Sequence, residues 1–179
     1  MSAFRRLREQ EIYQGGVISL AVGTFVGPDG DEFDRDVVHH PGAVSVVPLI
    51  DDEFVLVRQY RAALDHDLLE IPAGKRDVPG EPPEETAHRE LIEEVGYRAG
   101  RLVKLAEFYN SPGFSDEHSH AFLGLDLTAV TASAQGIEEE HMTIERVAID
   151  AVPGMIASGE LIDAKTIIGL TLALRHLGR

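Results

Sequence analysis

Residues 74–97 read GKRDVPGEPPEETAHRELIEEVGY, and this stretch determines how the rest of the chain is interpreted. Glu90 and Glu94 are four residues apart and Glu93 is three after Glu90, so on a helix the three carboxylates share one side. Like charges at that spacing repel each other. We therefore expect a cation among them. A hard divalent ion such as Mg²⁺ fits, because it binds carboxylate oxygens, water and substrate phosphates.

The same stretch predicts the helix that carries these glutamates. The helix begins at the proline pair 82–83, because proline suits a first turn in which no N–H bond is needed. Ala87, Leu91 and Val95 recur every four residues and form a buried stripe. Gly96 is expected to end the helix. The carboxylates then face away from the apolar stripe, toward a cleft.

These residues resemble the Nudix box, the signature G-x5-E-x7-R-E-U-x-E-E-x-G-U in which U is a bulky aliphatic residue. Seven residues separate Glu81 from Arg89, as the signature requires. Gly74 lies one residue too far upstream, and the last position is Tyr97 rather than an aliphatic residue. The extra residue falls in the turn at 77–80, where a loop absorbs an insertion without moving the helix.

Nudix enzymes cleave diphosphates linked to another moiety with divalent metals and water. By this resemblance, Glu90 and Glu94 are metal ligands. Glu93 is a third or alternate ligand, and Ala73 contributes its backbone carbonyl. Arg89 is expected to hold the glutamates through charge-assisted hydrogen bonds, and Arg89 and Glu93 are counted among the catalytic residues. The implied cofactor is Mg²⁺, with Mn²⁺ as the alternative.

A second resemblance concerns the substrate. Residues 109–117 read YNSPGFSDE, with Pro112 sixteen residues after the last glycine of the box. Within the family, this placement and wording are typical of ADP-ribose pyrophosphatases. The stretches LEIPAGK at 69–75 and GELIDAKT at 159–166 are also similar to that subgroup. The resemblance implies hydrolysis of ADP-ribose, or a related nucleoside diphosphate sugar, to AMP and a sugar phosphate. Glu70 and Pro112 are placed among the substrate-binding residues.

Two arginines end the strand that precedes the box, in the sequence RQYR at 58–61. A planar guanidinium near a diphosphate binds phosphate oxygens well. Because side chains alternate along a strand, Arg58 and Arg61 face opposite sides, and we expect one of them to point inward. Both are candidate substrate-binding residues, and solvent-exposed charge is the alternative for each.

The attacking water must lose a proton, and Nudix enzymes often keep the base on a late loop outside the box. Residues 135–142 read QGIEEEHM and precede a predicted strand. Counting back four residues from Met142, as the subgroup pattern indicates, selects Glu138 as the base. Glu139 and Glu140 remain alternatives.

Composition limits the other classes of function. The 179 residues are enough for one domain with a core, and no apolar run is long enough to span a bilayer. The start of the chain lacks the apolar stretch of a signal peptide, and there are no cysteines, so we expect a cytoplasmic protein. The net charge of −15 argues against a nucleic-acid partner.

The remaining sequence predicts an α/β protein. Strand patterns occupy residues 17–22, 24–26, 33–38, 43–50, 54–57, 68–71, 102–108, 120–127 and 143–149. Helical patterns lie near Met155 and at 164–177. This mixture predicts an α/β/α sandwich like that of Nudix proteins, with a mixed sheet, plus N-terminal antiparallel strands. Residues 1–45 are assigned to these strands and residues 46–179 to the Nudix domain.

Two further expectations follow from the resemblance. Enzymes of this subgroup are commonly homodimers whose N-terminal strands contribute to the partner's site, so we expect residues 1–45 to dimerise. Other diphosphate substrates, such as nucleoside triphosphates, dinucleotides or coenzyme A, are the alternatives within the family. A catalytically silent nucleotide-binding module is the alternative outside enzymes, but such a module is expected to lack some of Glu90, Glu93 and Glu94, and all three are present.

Overall fold

A computed structural model describes residues 3–131 and 141–179. The strands, in chain order, are β1 (Arg5–Gln14), β2 (Ser19–Val26), β3 (Glu32–His39), β4 (Ala43–Ile50), β5 (Glu53–Arg61), β6 (His66–Glu70), β7 (Ala73–Lys75), β8 (Tyr97–Tyr109), β9 (His118–Ala129) and β10 (Thr143–Ala148). The helices are α1 (Pro83–Val95), α2 (Val152–Ser158) and α3 (Ala164–His176), with a 3₁₀ turn over Ile149–Ala151. The chain divides into two compact units.

The first unit contains the residues up to Gly42 together with Phe108–His118. Among its described residues, β1, β2 and β3 form an antiparallel sheet in that order. The turn between β2 and β3 is closed by a hydrogen bond from Gly27 N to Asp31 O of 3.0 Å, and Gly30 has a φ of +90°, which favours glycine. The predicted N-terminal antiparallel strands are therefore confirmed.

Strand β1 was not predicted. Its ten residues are exposed except for the half-buried Leu7, so the alternation of polar and apolar residues that marks a half-buried strand is absent. The strand forms because β2 supplies backbone partners along its length, with register shifts between Arg6 and Arg8 and between Glu11 and Tyr13.

The segment that carries Pro112 is also part of the first unit. The carbonyl of Ser111 accepts hydrogen bonds from the N–H groups of Phe114 and Ser115, over 3.1 and 2.9 Å. Val38, near the end of β3, donates to the carbonyl of Phe114 over 2.7 Å and accepts from the N–H of Asp116 over 3.1 Å. This segment is therefore a closed turn that is attached to the end of β3.

The second unit, Ala43–Glu107 with Ser119–Arg179, contains the mixed sheet that the sequence predicts. In the part of the chain that the structure describes, seven strands form this sheet. The order is β10-β5-β4-β9-β8, with β6 beside β5 and β7 beside β4. Strands β4 and β9 are parallel, whereas β5 is antiparallel to β4, β6 and β10. The predicted α/β fold with a mixed sheet is confirmed.

Both faces of this sheet are buried, because neighbouring residues of one strand enter different core clusters. Val46 and Val57 pack with α1, whose Ala87, Leu91 and Val95 are at most 4% exposed. Val47 and Leu56 instead pack with residues of α3 such as Leu170 and Ala173. Each fully buried aliphatic side chain of this size stabilises the fold by about 1.5–3 kcal/mol.

Helix α1 agrees with its prediction at both ends. Pro82 is its N-cap and Pro83 its first residue. Gly96 has φ 68° and ψ 34°, and its N–H bonds to Ile92 O over 3.1 Å. The left-handed backbone there explains the glycine.

Other strands also differ from the expectations. The short strand β7 was not predicted, and it forms because Ala73 and Lys75 pair with Ser45 and Ala43 of β4. Strand β10 ends at Ala148, one residue before the predicted end, where the 3₁₀ turn begins. No helix within residues 3–131 and 141–179 has the length and apolar character needed to cross a membrane.

Candidate active site

The C-terminal half of α1 lies against β7, and side-chain hydrogen bonds join them. The backbone N–H of Ala73 donates to Oε2 of Glu94 over 2.9 Å. Ala73 itself is held by its pairing with Ser45 of β4. Glu94 is 7% exposed, so a charged carboxylate is kept next to the strand in a place that solvent hardly reaches.

Glu90, one turn earlier on α1, lies directly over Gly74. A Cβ atom at position 74 would come within 1.8 Å of Cδ of Glu90, which is far inside any permissible contact. The absence of a side chain at Gly74 therefore makes the space that the Glu90 carboxylate occupies. Although this glycine is one residue out of register with the signature, it has a defined structural purpose.

Arg89 supplies positive charge between the glutamates. Its Nη1 atom is 2.7 Å from Oε1 of Glu90 and 3.0 Å from Oε2 of Glu93. Its Nη2 atom is 3.5 Å from Oε2 of Glu81 and 3.4 Å from the carbonyl oxygen of Lys75. Burial alone would lower the pKa of Arg89, but the surrounding carboxylates outweigh burial and raise it.

The glutamates suit a hard divalent cation by their chemistry, although they are not gathered into a finished metal site. Across residues 3–131 and 141–179, no group of three or more His, Asp or Glu side chains is arranged to hold a metal ion. However, carboxylate oxygens of Glu90 and Glu93 already converge on one cationic nitrogen, Nη1 of Arg89. Carboxylate oxygens are the ligands that Mg²⁺ and Mn²⁺ prefer. The donor set therefore fits such an ion.

Arg61 at the end of β5 and Glu70 at the end of β6 form a two-point ion pair. Nε of Arg61 is 2.7 Å from Oε1 of Glu70, and Nη2 is 2.5 Å from Oε2. Glu70 is 1% exposed, and Lys165 also donates to its Oε2. The hydrogen bond with Glu70 raises the pKa of Arg61, and the charge of Glu94 adds to the effect. The charge of Arg61 therefore interacts with that of Glu94 on α1.

Arg58 makes its contacts elsewhere. Its Nε and Nη2 atoms bond to the carboxylate of Glu145 on β10 over 2.6 and 3.2 Å. By strand alternation Arg58 shares a face with Leu56, which packs with α3, whereas Arg61 shares a face with Val57, which packs with α1. Of the two arginines, the structure brings Arg61 toward the glutamates.

The other candidate residues are placed as follows. Pro112 lies in the turn of the first unit that is attached to the end of β3. Two exposed aromatic side chains accompany it there: Phe114, and Tyr109, whose ring stacks on that of His118 with centroids 4.8 Å apart. Glu138, with its alternatives Glu139 and Glu140, lies outside the described residues.

A charged cluster in the first unit was not expected. Nδ1 of His39 is 2.5 Å from Oδ2 of Asp116, and Nε2 is 3.1 Å from Oε1 of Glu9. The hydrogen bond with Asp116 is the largest cause of a raised pKa of His39. The three residues are far apart in sequence. The pairing of β1, β2 and β3 brings Glu9 near His39, and the turn attached to the end of β3 brings Asp116 there.

Comparisons with known proteins place this arrangement in context. Residues 39–167 match the NUDIX domain family. The ADP-ribose pyrophosphatase of Bacillus subtilis (strain 168) is 39% identical over 163 residues, which are 90% of this chain and 88% of that protein. The methanol dehydrogenase activator of Bacillus methanolicus is 35% identical over 178 residues, 96% of each protein.

A solved structure agrees with these matches at the level of the fold. The crystal structure of an ADP compounds hydrolase covers 100% of this chain and 98% of its own, with a TM-score of 0.87. The two sequences are 21% identical, so this likeness concerns the fold alone.

Proposed function

The chain belongs to the Nudix family, and from this premise we propose that it is a divalent-metal-dependent pyrophosphatase acting on ADP-ribose or a related nucleoside diphosphate sugar. The products are AMP and a sugar phosphate. The 39% identity to an ADP-ribose pyrophosphatase, spread over 90% of this chain, supports this substrate class. The subgroup features around Pro112 point to the same substrate class.

The observation that carries the proposal is the position of two buried glutamates. Glu94 is bonded to the backbone of Ala73, and Glu90 fills the space over Gly74, so both carboxylates lie beside the same short strand. Burying two like charges close together is costly, and a metal ion beside them would lower this cost further than the ion pair between Arg89 and Glu90 does. A site built in this way is expected to bind a metal ion as part of its function.

This geometry supports the metal ligands that the family resemblance implies. Glu90 and Glu94, with Glu93 as third ligand and the carbonyl of Ala73, would hold Mg²⁺, or Mn²⁺ in its place. Bound there, the metal would stabilise negative charge on the phosphates and lower the pKa of the attacking water. Arg89 keeps Glu90 and Glu93 in place through its Nη1 atom.

The diphosphate is assigned to Arg61 rather than to Arg58. Arg61 lies on the α1 side of the sheet, within electrostatic range of Glu94, whereas Arg58 is bound to Glu145 on the other face. Pro112 is proposed as a further substrate-binding residue, because the subgroup resemblance implies this role.

The reaction needs one proton acceptor. A water oxygen forms a bond to one phosphorus of the diphosphate while the bond from that phosphorus to the bridging oxygen breaks. Glu138 is proposed to accept the proton of the water, on the strength of its position four residues before Met142. The leaving phosphate departs with the bridging oxygen.

Assembly and location complete the proposal. We assign a homodimer in which residues 1–45 take part, since β1 is an exposed edge strand with exposed apolar side chains at Ile12 and Tyr13. We further propose a cytoplasmic location and neither nucleic acid nor membrane as a partner, in line with the acidic charge of −15.

One experiment tests the substrate assignment. Purified protein is incubated with Mg²⁺ and a panel that contains ADP-ribose, other nucleoside diphosphate sugars, a nucleoside triphosphate, a dinucleotide and coenzyme A, and products are identified by chromatography. We expect AMP and ribose 5-phosphate from ADP-ribose at the highest kcat/KM. A higher kcat/KM for a triphosphate or a dinucleotide would contradict the assignment of nucleoside diphosphate sugars as the substrate class. No hydrolysis in the whole panel would favour a nucleotide-binding module that lacks activity.

A further inference from the structure

The stretch GELIDAKT at 159–166 has no part in the reaction described so far, yet its side chains join an ion cluster around the buried Glu70. Oδ2 of Asp163 caps α3 by accepting a hydrogen bond from the N–H of Thr166 over 2.9 Å. The hydroxyl of Thr166 accepts a hydrogen bond of 3.0 Å from the N–H of the residue that follows β6. Lys165 donates to the carboxylates of Asp163 and Glu70. The start of α3 is thereby fastened to the end of β6.

Glu70 is the centre of this cluster. It is 1% exposed and binds the guanidinium of Arg61 at two points and the ammonium of Lys165 at a third. A buried carboxylate that is left without a cation is strongly destabilising. Because Lys165 also pairs with Glu70, a change at Arg61 does not leave that charge uncompensated.

The two-point ion pair with Glu70 uses only part of the guanidinium of Arg61. Glu70 takes Nε and Nη2, and within residues 3–131 and 141–179 no atom accepts a hydrogen bond from Nη1. The side chain of Arg61 is 38% exposed, against 16% for Lys165. Arg61 is therefore the more exposed cation of this cluster, and it keeps N–H groups available to an anionic ligand.

We propose that Glu70 is a positioning residue that holds Arg61 by two points so that its remaining N–H groups meet the diphosphate of the substrate. Lys165 serves as the second cation on Glu70, which leaves more of the charge of Arg61 for the substrate. This inference rests on the proposed function, and it replaces direct substrate binding by Glu70, whose carboxylate is enclosed by the two cations.

A double-mutant cycle tests the inference. KM and kcat are measured for wild type, Glu70→Gln, Arg61→Lys and the double variant, with whichever diphosphate of the panel wild type hydrolyses fastest. We expect each single variant to raise KM about tenfold to a hundredfold, the range for losing a hydrogen bond to a charged group, with kcat changed by less than about threefold. Lysine keeps the positive charge but cannot form the two-point contact with Glu70.

The decisive result is the double variant. If Glu70 acts through Arg61, Glu70→Gln adds no further rise in KM once Arg61 is lysine, so the two effects are not additive. The inference would be overturned if the rise in KM of the double variant equalled the product of the two single rises, or if Glu70→Gln had a normal KM. Thermal unfolding of all four proteins accompanies the kinetics, because a purely structural role would lower stability and kcat without this pattern in KM.

Lys165→Met supplies a second arm. With Lys165 removed, Glu70 is balanced by Arg61 alone, and we expect a several-fold rise in KM. Lys104→Met is the matched control, since it removes an exposed lysine that pairs with Glu107, and its KM should stay at the wild-type value. Equal KM values for the two lysine variants would contradict the role of Lys165.

Failure of this inference can be told apart from failure of the proposed function. If ADP-ribose is not a substrate but another diphosphate is, the substrate assignment falls and the cycle still decides the role of Glu70. If the protein hydrolyses no diphosphate, both fall together.

Discussion

Ala73 and Glu94 are 21 residues apart in the chain, and the backbone N–H of Ala73 donates a hydrogen bond of 2.9 Å to Oε2 of Glu94. This contact connects the short strand β7 to the last turn of α1. Glu94 therefore has two roles that can be separated. Its side chain accepts the hydrogen bond that connects the two elements, and it carries a negative charge that is buried beside Glu90.

Glu94→Gln separates these properties. Glutamine keeps the size and the acceptor, so the bond to Ala73 and the fold should persist, whereas the charge needed by a metal ligand is lost. We expect turnover with Mg²⁺ to fall by several orders of magnitude and the melting temperature in chelator to stay the same or rise, because repulsion with Glu90 is relieved.

Glu85→Gln is the matched control, since Glu85 is an exposed residue in the first turn of the same helix. Its activity should equal that of wild type. Near-normal activity of Glu94→Gln at saturating Mg²⁺ would refute the assignment of Glu94 as a ligand.

Gly74→Ala tests the space over the strand. The added methyl group would lie 1.8 Å from Cδ and 2.1 Å from Oε2 of Glu90, so the carboxylate must move away. We expect activity to drop at least about tenfold and the Mg²⁺ concentration for half-maximal activity to rise.

A titration of activity against Mg²⁺ measures this shift. Gly154→Ala is the control, because a Cβ atom there meets nothing within 4 Å and Gly154 lies in α2, away from the proposed ligands. A Gly74→Ala protein with an unchanged Mg²⁺ requirement would show that the carboxylate of Glu90 does not depend on this space.

The fold could be predicted where patterns are local. Helix α1 is marked by the proline pair at its start, the apolar stripe of Ala87, Leu91 and Val95, and the glycine at its end, and each of these signals acts within a few residues. Strand β1 carries no such signal, because it is exposed on both faces and depends on β2 for its hydrogen bonds.

The same distinction applies to the site. The spacing of Glu90, Glu93 and Glu94 is local, so the sequence alone indicated a cation there. The sequence did not indicate that Glu70 is bound by Arg61 and Lys165, because these contacts join β5, β6 and α3 across 9 and 95 residues. Only the tertiary structure brings such residues together.

The ion cluster of the first unit predicts a pH dependence. The folded-state pKa of His39 is raised above 6.5, chiefly by Asp116, with Glu9 contributing less. The protonated His39 therefore stabilises the fold. This stabilisation is fully present below pH 6.5 and is lost as the pH rises through the raised pKa of His39.

Thermal unfolding between pH 5.5 and about 9 measures this loss against His39→Gln, which does not titrate. The stability of wild type relative to the variant should decline as the pH increases over the range above 6.5. A constant difference across the range would show that the imidazolium does not stabilise the fold. The effect is expected to be small, because the side chain of His39 is 33% exposed.

Removal of residues 1–40 tests the assembly. The truncation deletes β1, β2 and β3 and takes away the hydrogen bonds from Val38 to the turn that contains Pro112. If these strands form the dimer, the shortened protein should lose solubility and activity.

The double substitution Ile12→Lys with Tyr13→Lys is a milder companion, since both side chains are exposed on β1. We expect it to shift the protein toward monomer in analytical ultracentrifugation while the melting temperature stays near that of wild type. A truncated chain that is soluble, monomeric and fully active on ADP-ribose would contradict the dimer proposal.

The last prediction separates the base from the metal ligands. Glu138 is proposed to accept the proton of the attacking water and not to hold the metal, so Glu138→Gln should lower kcat by about 10²–10⁴-fold. KM and the Mg²⁺ requirement should change little, in contrast to Glu94→Gln, whose loss of a ligand charge should alter the Mg²⁺ requirement as well. Glutamine at Glu139 and at Glu140 provides matched controls, because each change removes one acidic charge from the same segment. If kcat falls most at Glu139 or Glu140, the proposed reaction stands and the base is that residue. If all three variants keep a kcat near that of wild type, the base lies elsewhere in the chain.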